Sequence, residues 1–78
     1  MEGPPMTLHP DHLALLDATV YDAIAHQNAV MGDGPTQAEL LLECGVSREV
    51  LARALWRLRV AHRVHWGYHR KRGLRALP

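Results

Sequence analysis

Residues 36–58 read TQAELLLECGVSREVLARALWRL, and the local chemistry of this stretch decides the architecture around it. Thr36 followed three residues later by Glu39 is a capping box, in which each side chain satisfies a free amide of the other. The spacing predicts a helix from there through Leu40, Leu41 and Leu42 to about Glu43. Gly45 tolerates a positive φ and allows a sharp turn. Ser47 is placed to cap a second helix over Arg48 to Arg59, with Leu51, Ala54, Leu55 and Leu58 along one face. Two helices joined by a short turn containing glycine are either a helix-turn-helix or a plain helical hairpin in a small bundle.

The run Thr36-Gln37-Ala38-Glu39-Leu40, then Gly45-Val46-Ser47-Arg48-Glu49, then Ala54-Leu55 resembles the helix-turn-helix of bacterial DNA-binding regulators. Leu40, Cys44, Val46, Leu51 and Leu55 fall at that family's apolar positions. Leu41 departs from the pattern, standing where the family carries a small alanine between the helices.

The rest of the chain fits around this centre. Its 78 residues bound one domain near the lower limit for a self-sufficient core. An apolar fraction of 47% with 22% charge argues against disorder. The single cysteine, Cys44, excludes an intramolecular disulfide and reads as a small core residue. No run is long and apolar enough to span a membrane, and the beginning MEGPPMTLHPD lacks the regions of a signal peptide. The expectation is a soluble cytoplasmic protein. Residues 1–9 are rich in proline and glycine and read as a disordered tail, leaving residues 10–78 as the domain. Pro10 and Asp11 suit a helix start, and Leu13, Leu16, Val20 and Ile24 repeat at helical spacing with Ala23 and Gln27 beside them. These predict a first helix over Pro10–Gln27. Met31 to Pro35 reads as a loop.

Beyond the helices, Val64 and Trp66 alternate with polar neighbours, and Leu74-Arg75-Ala76-Leu77 alternates again. Between them, Gly67 and Gly73 flank a basic centre at Arg70-Lys71-Arg72. This predicts a β-hairpin similar to the wing of winged-helix domains, so that the resemblance covers Pro10 to Pro78. The fold class expected is mainly α (α+β): a three-helix winged helix-turn-helix with a C-terminal β-hairpin wing. The alternative is a longer third helix ending in a basic tail.

Charge is sharply divided. Residues 1–46 carry seven acids (Glu2, Asp11, Asp17, Asp22, Asp33, Glu39, Glu43) and no lysine or arginine, a net of −7. Residues 47–78 carry nine bases against one acid, Glu49, a net of +8. A basic pole on so small a domain points to a polyanion partner, or to attraction between the two poles within or between molecules.

The family resemblance implies that the first residues of the second motif helix meet base edges in the major groove of double-stranded DNA. Carried onto this chain, these are Ser47, Arg48, Glu49, Val50 and Arg53. Arginine suits guanine O6 and N7, and a carboxylate suits cytosine N4. Glu49 reads equally as a favourable charge at a helix N-terminus. Arg57, Arg63, Arg70, Lys71 and Arg72 are expected at phosphates or in the wing, whereas Arg59 reads as a solvated helix end. Trp56 is expected to pack against the hairpin, with an indole on the nucleic-acid surface as the other reading. Trp66 is expected to cover the third helix, and Tyr68 either closes the wing or touches phosphate.

His62, His65 and His69 stand three and four residues apart, but they span a change of secondary structure and share no face, so no metal is expected. No cofactor or catalytic constellation is read either, because Ser47, the one serine, serves as a cap and no glycine-rich phosphate loop occurs. On helix one, Ala14, Leu15, Ala18, Tyr21 and Ala25 lie away from the core stripe and predict a homodimer interface. The partners expected are therefore duplex DNA and a second copy. A protein of the transcription machinery is the competing partner.

Overall fold

The computed structural model describes residues 10–66 and 72–78, with side chains from His12 onward. The expected tail at 1–9 and the centre of the hairpin connection, including Tyr68, His69, Arg70 and Lys71, lie outside the described residues. Among the described residues, α1 (Pro10–Met31), α2 (Gln37–Cys44) and α3 (Arg48–Val60) precede strands β1 (Val64–Trp66) and β2 (Leu74–Ala76). The strands pair antiparallel, with Val64 opposite Ala76, His65 opposite Arg75 and Trp66 opposite Leu74. This is a three-helix helix-turn-helix followed by a hairpin wing.

The capping box at the start of α2 is complete. The Thr36 amide donates to Glu39 Oε1 at 3.0 Å, and the Glu39 amide donates to Thr36 Oγ1 at 3.1 Å. Gly45 ends α2 in the left-handed region at φ 66°, and its amide returns to the Leu41 carbonyl. A residue with a Cβ at that φ is strained by roughly 1–2 kcal/mol, which is why the turn uses glycine. Ser47 then caps α3, its Oγ accepting from the Val50 amide at 3.2 Å.

Each element contributes to one core. Val20 and Ile24 come from α1, Leu40 from α2, and Leu51, Ala54, Leu55 and Leu58 from α3, with Val64 and Leu74 from the hairpin. Leu41, the departure from the family pattern, packs half-buried against this core with Cys44 and Val46. Burial, with nearby Glu43 adding to it, pushes the Cys44 thiol above its ordinary pKa and holds it in the protonated, unreactive form. Leu13, expected in the α1 stripe, is only half-buried and stands outside the core, which begins at Leu16.

Helix α1 runs four residues beyond the expected Gln27, to Met31. Tertiary contacts carry it there. The Asn28 side chain donates to the carbonyls of Asp33 (2.8 Å) and Leu74 (3.0 Å) and accepts from the Ala76 amide (2.9 Å). Gln27 adds a bond to Asp33 Oδ1 at 2.9 Å. On the same edge of β2, the Gly34 amide donates to the Arg72 carbonyl at 3.0 Å. The side of β2 that β1 leaves open is therefore paired by one side chain and one loop amide, which together replace a third strand. A Cβ on Gly34 would lie 2.2 Å from the Leu74 carbonyl oxygen, so this approach requires glycine. Among the described residues no helix is long and apolar enough to cross a membrane.

Candidate nucleic-acid interface

Helix α3 has two opposed faces. Leu51, Ala54, Leu55 and Leu58 are buried, whereas Arg48, Glu49, Ala52, Arg53, Trp56, Arg59 and Val60 are exposed. Ser47 is exposed and serves as the cap, and Val50 is half-buried. Of the residues expected at base edges, Arg48, Glu49 and Arg53 thus stand together on the outward face of the first two turns. Arg53 and Glu49 approach only to 3.6 Å with both side chains more than 70% exposed. A contact of that length in water is readily exchanged for another.

The arginines expected at phosphates divide differently. Arg57 faces α1, where its Nε and Nη2 each donate to an Asp17 carboxylate oxygen at 2.8 Å. The Asp17 hydrogen bonds raise the Arg57 pKa above its ordinary value. Arg57 therefore links α3 to α1 within the fold, because its position on α3 is the one that meets α1. Arg72 is likewise engaged: Nη1 and Nη2 donate to Glu39 Oε1 and Oε2 at 2.9 and 2.7 Å, and Nη1 reaches the Gly34 carbonyl. The same Glu39 that closes the capping box thus ties the hairpin to the start of α2. The Arg72 guanidinium, the largest cause, and the Thr36 amide hold the Glu39 carboxyl below its ordinary pKa.

Arg63 lies over the Tyr21 ring at 4.4 Å, and Arg59 lies over Trp66 at 4.8 Å. Neither cation–π contact pairs the positive charge with an acid, so both cations remain part of the basic surface. Trp66 is half-buried against the core, as the covering role requires. Trp56, expected against the hairpin, is 60% exposed and, among the described residues, stands outside the core that Val64 and Leu74 of the hairpin join. At about 100° per residue it falls opposite the buried stripe of α3, and the hairpin reaches the core through Trp66 instead. Leu42 on α2 is also turned outward, 86% exposed.

On α1, Ala14, Leu15 and Ala18 are exposed and Ala25 is half-buried. Tyr21 is not on that free face. Its hydroxyl donates to the Leu77 carbonyl at 2.6 Å, and its ring packs against the core. His62 and His65 are exposed, and among the described residues no three His, Cys, Asp or Glu side chains converge in a metal-holding group. A shallow depression between α1 and α2 is lined by Thr19, Asp22, Ala23, His26 and Glu43. Asp22 and Glu43 give it an acidic lining.

No protein-family model matches the chain, and no curated protein matches it.

Proposed function

We propose that this protein binds double-stranded DNA in a sequence-specific manner, as a small transcriptional regulator of the cytoplasm, and that it catalyses no reaction. The observation that carries the reading is the condition of Arg48 and Arg53. They stand on the outward face of the second helix of a helix-turn-helix, exposed and, among the described residues, without a structural partner beyond the loose Glu49 contact. Arginines released from the fold, at the position that enters a major groove, are matched to guanine edges. Glu49 beside them favours readout over indiscriminate binding, since a carboxylate is repelled by phosphate and accepts from cytosine.

The exposed Leu15 (68%) with Ala14 and Ala18 supports a homodimer through α1. Two-fold pairing places two recognition helices about one DNA turn apart, roughly 34 Å, on a palindromic site. Leu42 favours a second reading, in which a protein of the transcription machinery is the partner, because an apolar side chain so fully in water gains from being covered.

Selection from random duplexes, followed by salt titration of the selected site, tests the proposal. Arg48→Ala or Arg53→Ala is expected to cost ~1–3 kcal/mol and to blur preference at particular base pairs. Removing the charges of Arg70 and Lys71 is expected to weaken every duplex alike and to flatten the salt slope. Helix and wing variants with the same sequence profile, or a wild-type protein that selects no site, would refute the duplex reading.

A further inference from the structure

We infer that Trp56 reads the 5-methyl group of a thymine in the major groove; this rests on the duplex-binding reading. On the outward face of α3, Trp56 occupies the middle. With successive residues about 100° apart, Arg48, Ala52 and Arg59 fall on one side of it, and Glu49, Val60 and Arg53 fall on the other. The indole is 60% exposed and Val60, one turn further on, is 59% exposed. A large apolar surface thus sits among exposed arginines on the outward face of α3.

The arginines select the ligand class. Arg48, Arg53 and Arg59 are all exposed, and among the described residues none is neutralised by a close ion pair: Glu49 stands 3.6 Å from Arg53, and Arg59 is held by a ring. Charge of that sign fits a polyanion rather than an apolar protein surface. Within a polyanion the indole must meet an apolar group, and phosphate and sugar edges offer it little. Among the base edges of the major groove, only thymine presents an apolar substituent, its 5-methyl. Trp56 lies eight residues beyond Arg48, about 12 Å along the helix. At ~3.4 Å per base step, its thymine is roughly three to four base pairs from the guanine that Arg48 contacts.

The test replaces each thymine of the selected duplex, one at a time, by deoxyuridine, which removes the methyl and preserves every hydrogen-bonding atom. Wild-type protein is expected to bind about fourfold more weakly when the critical thymine is replaced, the loss of one buried methyl. The sensitive position should lie three to four pairs from the one whose preference Arg48→Ala blurs. Trp56→Ala should bind thymine and uracil duplexes equally there, and Trp56→Phe, which keeps an aromatic face, should still distinguish them. A wild-type protein indifferent to every uracil, or a Trp56→Ala variant as sensitive as wild type, overturns the inference and leaves duplex binding intact. Should Trp56→Ala fail to fold, the wild-type uracil scan and Trp56→Phe decide alone. A wild-type protein that binds no duplex removes both this inference and the reading beneath it.

Discussion

The described basic side chains in the second half of the chain do different work according to what lies within reach of each. Arg57 meets a carboxylate across the α1–α3 contact at 2.8 Å, with both partners mostly sheltered (34% and 20% exposed). A two-pronged pair of this kind stabilises through geometry as well as charge. Discounted for solvent screening, Arg57→Ala is expected to cost about 1 kcal/mol of folding stability and to leave base-pair preference unchanged. Asp17→Ala should cost a similar amount, and the double variant little more than either single one. Thermal unfolding of the four proteins checks this coupling, and strict additivity would show that the pair contributes nothing. Arg48, one residue from the Ser47 cap, has the opposite profile: its loss should spare stability and change the sequence preference.

The wing is held less by its own short strands than by what meets its open edge. Gly34 and Asn28 supply that edge, and Gly34→Ala drives a methyl to within 2.2 Å of a backbone oxygen that cannot step aside. Either the loop or β2 must shift, at a cost of ~1–3 kcal/mol. Denaturant unfolding should show it, and an unperturbed midpoint would mean that the loop yields freely. A second tie, Glu39 to Arg72, responds to pH. The Glu39 carboxyl is held below its ordinary value near 4.5, so the folded state releases its proton more readily than the unfolded one. Its contribution is fully present above the unfolded pKa and is lost as pH falls through the lowered folded value. The hairpin is therefore expected to loosen below about pH 4.5, read by Trp66 fluorescence, with Glu39→Gln removing most of that dependence. An identical acid profile in Glu39→Gln would assign the loosening to another carboxylate.

The division into a −7 half and a +8 half is only partly preserved once the chain is folded. Asp17 with Arg57 and Glu39 with Arg72 each join an acid of the first half to a base of the second. Other charges remain exposed: Arg48, Glu49 and Arg53 on α3, and Asp22 and Glu43 around the depression between α1 and α2. The proposed dimer would use Ala14, Leu15 and Ala18, which are exposed on α1. Leu15→Glu with Ala18→Glu is expected to give a folded monomer that binds a full palindromic site no better than half of one. Sedimentation of the wild type as a monomer at high concentration, alone and on DNA, would exclude the dimer.

Local chemistry was sufficient for the helix-turn-helix: the Thr36–Glu39 box, the left-handed Gly45 and the Ser47 cap act through bonds spanning a few residues, so their spacing is their mechanism. Alternation at Val64–Trp66 and Leu74–Ala76 was enough for the strands for the same reason. Long-range packing decided the rest. Nothing near Asn28 in sequence announces that its amide will complete the edge of β2, and that contact accompanies α1 past Gln27 to Met31. Nothing near Arg57, Arg72 or Tyr21 announces Asp17, Glu39 or Leu77, which lie 33 to 56 residues away. An arginine's role depends on whether the fold brings it an acid, and that proximity is created only when distant elements meet. The helical period alone places Trp56 away from the core, but its exposure depended on which side of α3 the hairpin would cover, and the tertiary structure covered the other.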